Sequence, residues 1–130
     1  MPFTVTQIPG EPIVIAQIEV PLEQHMASIK SVTDQLARLA ATSSPLLFVL
    51  VDLRDQSLSF SDILIGMEIL NAPPNWLAQP TVRTVLVGTD PMIGIALKRF
   101  KQQLGVDLTR FETIEDALAY ARAEINRLNE

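Results

Sequence analysis

Two hydrophobic periods alternate along this chain. Leu22, Met26, Ile29, Val32, Leu36 and Leu39 recur at three- and four-residue steps, with Lys30, Asp34 and Arg38 turned the other way. That is the stripe of an amphipathic helix. It opens at Pro21, where a missing N–H costs nothing, and ends near Thr42-Ser43-Ser44-Pro45. Phe3 to Ile8 and Ile13 to Val20 are short β-branched runs around Pro9-Gly10-Glu11-Pro12, the signature of an antiparallel hairpin. Leu46 to Leu53 reads LLFVLVDL, apolar on both faces until Asp52. Such a run suits a central strand covered on two sides.

Beyond a polar loop from Arg54 to Ser59, the pattern predicts a second helix over Ser61 to Leu70, broken by Asn71-Ala72-Pro73-Pro74-Asn75. Thr81 to Gly88 is another strand. Asp90 as N-cap and Pro91 at the first helical position open a third helix. It carries Met92, Ile93, Ala96, Leu97, Phe100 and Leu104 and stops at Gly105. Val106 to Phe111 forms a short last strand. Thr113 and Asp116 resemble a capping box, followed by the stripe Ile114, Leu118, Ala121, Ile125 and Leu128.

Each later strand reaches the next through a helix, which demands parallel neighbours and right-handed crossovers. The fold class is therefore α/β, a mixed, mostly parallel sheet that opens with an antiparallel hairpin, with about five strands and four helices. No linker or repeat divides residues 1–130, and that length matches one domain. The order of elements, with the phrases LLFVLVDLRD at 46–55, VLVGTDP at 85–91 and FETIEDALAYA at 111–121, resembles the STAS superfamily and its SpoIIAA-like (STAS/SEC14) branch. The resemblance runs from Ile13 onward. It implies a small mixed sheet with helices mainly on one side, and a bacterial regulator, protein partner or carrier of an apolar ligand.

Composition narrows the chemistry. The chain has no cysteine, so thiol nucleophiles, disulfides and thiolate metal sites are excluded. Its formal charge of −5 disfavours nucleic acid; the short basic run Lys98, Arg99 and Lys101 suits a helix C-terminus instead. No segment approaches the roughly 18 uninterrupted apolar residues of a membrane span, and no secretory signal is visible after Met1-Pro2-Phe3-Thr4. Cytoplasmic location is the expectation. His25 is the single histidine; one imidazole makes neither a zinc site nor a triad, and it reads as solvated.

Four places attract attention. Ser61 falls where the resemblance to anti-sigma-factor antagonists puts a phosphorylated serine at the start of the second helix, with Leu64 at the motif's leucine. Phe60, Asp62 and Ile63 depart from that motif. The capping reading gives Ser59, Ser61 or Asp62 to the helix end alone. Asp52, Arg54 and Thr89 lie where strands end, the usual ligand edge of an open α/β sheet. Asp52 with Asp55 could form an acid–base pair, although Arg54 between them favours a salt-bridged loop. Gly88 to Gly94 (GTDPMIG) matches no nucleotide-binding loop, so cofactors are not expected.

The second helix is unusual because apolar residues wrap most of its circumference. Phe60, Ile63, Leu64, Met67 and Leu70, with Trp76 and Leu77 just beyond, form a candidate interface or apolar pocket; ordinary core packing with Trp76 as a lid is the competing reading. The expected function is a non-catalytic regulatory or interaction domain, a homo-dimer or partner-binding protein, with a carrier of a small apolar molecule as the alternative.

Overall fold

The computed structural model describes residues 4–42, 46–71 and 81–128, without the side chains of Thr42, Leu70 and Asn71. Five strands, β1 (Thr4–Gln7), β2 (Ile13–Gln17), β3 (Leu47–Asp52), β4 (Val82–Val87) and β5 (Thr109–Phe111), form one sheet in the order β1-β2-β3-β4-β5. The first pair is antiparallel and the rest are parallel. Four helices follow in turn: α1 (Met26–Thr42), α2 (Phe60–Asn71), α3 (Met92–Leu104) and α4 (Ile114–Leu128). The mixed α/β architecture expected from the periodicity is the one found.

The parallel strands step across the sheet in one direction, so right-handed crossovers stack α1, α2 and α3 on one face. The packing agrees. Ile29, Val32, Leu36 and Ala40 of α1 share a core with Val14 and Ala16 of β2 and Leu47, Val49 and Val51 of β3. On the opposite face, Ala117 and Ala121 of α4 close over Ile13, Phe48, Leu50, Val85 and Val87. Every residue of β3 is buried, because strand side chains alternate faces and both faces here are covered.

Several boundaries move. Pro21 does not open a helix: it is extended, with a cis Val20–Pro21 peptide, and precedes a 3₁₀ turn over Leu22–His25. The α-helical run begins only at Met26, a tighter first turn being common at helix starts. His25 lies in that turn and is half-buried rather than solvated. β2 stops at Gln17, and β5 is confined to Thr109–Phe111, the Val106 N–H before it donating to the Phe100 carbonyl at the α3 terminus. Met26 and Leu128, expected on buried stripes, are exposed at helix ends.

The local signals at the α3 and α4 termini hold. Gly105 takes the left-handed conformation and its N–H caps α3. The Asp90 carboxylate accepts from the Met92 N–H at 2.9 Å, and Thr113 Oγ1 accepts from the Asp116 N–H at 3.1 Å. Lys101 sits in the last turn of α3 and pairs with Asp107 at 3.0 Å.

Candidate functional site

The carboxyl edge of the sheet brings Gln17, Asp52 and Val87 into register on adjacent strands. Asp52 is buried, yet its oxygens are occupied. Oδ1 accepts from the Arg54 backbone N–H at 3.1 Å and from Arg54 Nε at 3.0 Å, while Oδ2 accepts from a second guanidinium nitrogen at 3.0 Å. The Gln17 amide adds a long contact at 3.5 Å. Burial pushes the Asp52 pKa upward, but hydrogen bonds and charge from Arg54, with Gln17, outweigh it and leave the carboxyl below the ordinary aspartate value. It is a paired anion. Asp55, at positive φ, is exposed.

Two further carboxylates lace this edge together. Asp62 and Ser59 form a reciprocal capping box at the start of α2: the Asp62 N–H donates to Ser59 Oγ at 3.0 Å, and Asp62 Oδ2 accepts from the Ser59 N–H at 2.9 Å and from its hydroxyl at 3.0 Å. The other Asp62 oxygen accepts from the Leu22 N–H at 2.9 Å, tying the 3₁₀ turn to α2. Asp90 caps α3 and also accepts from the Leu58 N–H at 2.7 Å. Thr89 is exposed beside a helix start whose Met92, Ile93 and Gly94 N–H groups are already engaged by Asp90 and Pro91. The parallel strands also step one way, without the reversal of strand order that opens a ligand crevice in this class of sheet. The carboxyl edge is built to hold loops. Among the described residues no three His, Asp or Glu side chains gather as metal ligands.

Beneath that edge, between the sheet and its three stacked helices, lies an apolar cavity of about 110 Å³. Leu36 of α1, Val51 and Leu86 of the sheet, Ile63 of α2 and Phe100 of α3 all contribute wall. Helix α2 presents Asp62, Ile63, Gly66 and Ile69 to it, a stripe at helical spacing. One residue bordering the cavity stands out. Thr84 is buried in mid-β4, and its hydroxyl has no hydrogen-bond partner. The other threonine of the wall, Thr33, donates to the Ile29 carbonyl at 2.8 Å and is satisfied.

The expected apolar residues of the second helix divide between two faces. Ile63 and Met67 pack on Ala96 and Phe100 of α3, whereas Phe60 and Leu64 remain exposed at 44% and 42%. The Arg99 guanidinium lies 4.7 Å from the Phe60 ring centroid. Ile95, two positions after Ile93 on the same helix, is also exposed. Ser61 is exposed in the first turn of α2. The side chain of Leu70, and Trp76 and Leu77, lie outside the described residues.

Sequence reasoning did not pick out Thr84, Gly66 or the role of Asp62 in holding two elements. A signal existed for the first: a lone hydroxyl within the apolar strand VRTVLV. Comparison of the chain with protein-family models, curated proteins and solved structures finds no match.

Proposed function

We propose that this chain is a non-catalytic, ligand-responsive regulatory domain of the SpoIIAA-like kind that its sequence resembles, acting in the cytoplasm by taking a small apolar molecule into the cavity beneath α2. The observation that carries this reading is the cavity itself, apolar on nearly all its wall and bounded by the helix whose opposite face is exposed. A guest there touches the inner stripe of α2, so occupancy and the outer face are coupled through one helix. Xenon and cyclopentane test it. Either one, added to isotopically labelled protein, is expected to shift the methyl resonances of Ile63, Leu86 and Val51 saturably and to raise the melting temperature. A hundredfold excess over Kd stabilises by about 2.7 kcal/mol. Absence of methyl shifts and of stabilisation with both probes overturns the reading.

A second reading, homo-dimerisation through α2, is favoured by the exposure of Phe60, Leu64 and Ile95. Two-fold symmetry lets one apolar patch pair with itself. Sedimentation equilibrium is expected to show concentration-dependent mass for the native chain and a monomer for Leu64→Glu. A monomer at all concentrations in both proteins removes this reading without touching the first.

A further inference from the structure

We infer that α2 pairs antiparallel with α2 of a second copy of this chain, with Leu64 at the two-fold axis and Glu68 of each copy facing Arg99 of the other. This rests on the homo-dimer reading above and adds the geometry and charge pairing of its contact.

The spacing of side chains sets the geometry. Phe60, Leu64 and Glu68 follow one another at four-residue steps, so they form one ridge along α2. All three are exposed, the first two with large apolar side chains. Leu64 is the midpoint, with Phe60 a turn before it and Glu68 a turn after. A two-fold axis through the midpoint reverses the second ridge. Leucine then meets leucine, and each Glu68 comes beside Phe60 of the other copy.

Charge selects this arrangement. The Arg99 guanidinium lies 4.7 Å from the Phe60 ring centroid, so the Phe60 end of the ridge is positive and the other end negative. Lys98, exposed next to Arg99, adds to the positive end. Within one chain the two ends stay apart: eight residues of helix at a rise of 1.5 Å each separate Phe60 from Glu68 by about 12 Å along the axis. Neither Glu68 nor Arg99 has an ion pair among the described residues. Antiparallel pairing brings opposite charges together twice, whereas parallel pairing sets like against like at both ends.

An apolar centre flanked by opposite charges at equal steps is self-complementary, as an isologous contact requires. Ile95, one turn before Arg99 on α3, extends the apolar surface. A nucleic acid or an anionic membrane is a poorer occupant, because it would be repelled at the Glu68 end and by the net charge of −5.

Sedimentation equilibrium on the native chain, Glu68→Arg, Arg99→Glu and an equal mixture of the two variants tests the arrangement. Each reversal places two like-charge contacts in its own homo-dimer and is expected to raise the dimer dissociation constant about tenfold. In the mixture every contact joins opposite charges again, so hetero-dimers are expected to form with about the native constant. Glu68→Gln, which keeps the shape and deletes the charge, is expected to weaken the dimer about threefold and serves if a reversal impairs folding. Reversals that leave the constant unchanged, or a mixture that associates no better than its components, overturn the arrangement and leave the dimer reading standing. A native chain that is monomeric at every concentration overturns the dimer reading and this inference with it, and is the result expected if the face serves a different partner.

Discussion

Asp62 is a buried carboxylate that closes a capping box within α2 and also holds a distant N–H, that of Leu22, forty positions earlier. Removing it strands donors in three places: the Ser59 N–H, the Ser59 hydroxyl and the Leu22 N–H. Asp62→Ala is therefore expected to cost about 2–3 kcal/mol, more than an ordinary cap at ~1 kcal/mol. Urea denaturation monitored by circular dichroism measures it, and a loss below ~0.5 kcal/mol would show that the link to Leu22 carries no weight. Asp52 makes a different prediction, in pH. Its folded pKa lies below the ordinary value, so its contribution is fully present above the unfolded pKa of about 3.9 and is lost as pH falls through the folded one. Asp52→Asn is expected to be less stable than the native chain at pH 7, with the gap narrowing below about pH 4. A gap independent of pH between 7 and 3 contradicts the assignment of Arg54 as its partner.

At the scale of elements, α2 differs from α1, α3 and α4. The other three separate apolar from polar faces as surface helices do; the stripes read from sequence find the buried residues of α1 and α3, whereas in α4 the fully buried residues are Ala117, which is not on the stripe, and Ala121. Helix α2 is apolar nearly all round: one face meets α3 and the cavity, while the other carries Phe60 and Leu64 outward. Gly66 sits on the inner stripe with normal helical geometry, and an added Cβ would lie 3.6 Å from Leu22 Cδ1, an ordinary contact. Glycine there costs about 1 kcal/mol relative to alanine. Gly66→Ala is thus expected to stabilise the chain by about 0.5–1 kcal/mol in thermal denaturation while shrinking the cavity and weakening cyclopentane binding. A destabilised Gly66→Ala would show that the wall at this point is tighter than the structure describes.

Over the whole molecule, burial is concentrated on β3 and β4 and thins toward both sheet edges. Opening of the global fold alone should expose the central strands. Amide hydrogen exchange is expected to be slowest for Leu47–Asp52 and Val82–Val87 and fastest for Thr4–Gln7 in β1 and for β5. Equal protection across the sheet would indicate that edge and centre open together. The same organisation explains why the cavity lies where it does. Three helices stack on one face of the sheet while, among the described residues, α4 is the helix on the other, and the space left between three helix ridges and a strand surface is fixed by their mutual spacing.

The chain by itself determined what depends on neighbours a few positions away. Hydrophobic period told strands from helices, the α3 and α4 termini were readable from Asp90, Gly105 and Thr113, and the alternation of elements dictated a parallel sheet behind a hairpin. These are legible because capping and amphipathic burial are decided within a turn or two of helix or along one strand. Pro21 shows the limit: its chemistry allows a helix start, but the hydrogen bond from Leu22 to Asp62 sets a different path there. Tertiary structure alone decided the site. Asp52 and Arg54 fall at the expected strand end, yet whether that edge opens depends on strand order, which runs without reversal. Thr84 looks like any strand threonine until β4 is seen beneath α1, α2 and α3. Its unpaired hydroxyl and the cavity beside it arise from the fit between segments far apart in sequence, where no local rule acts.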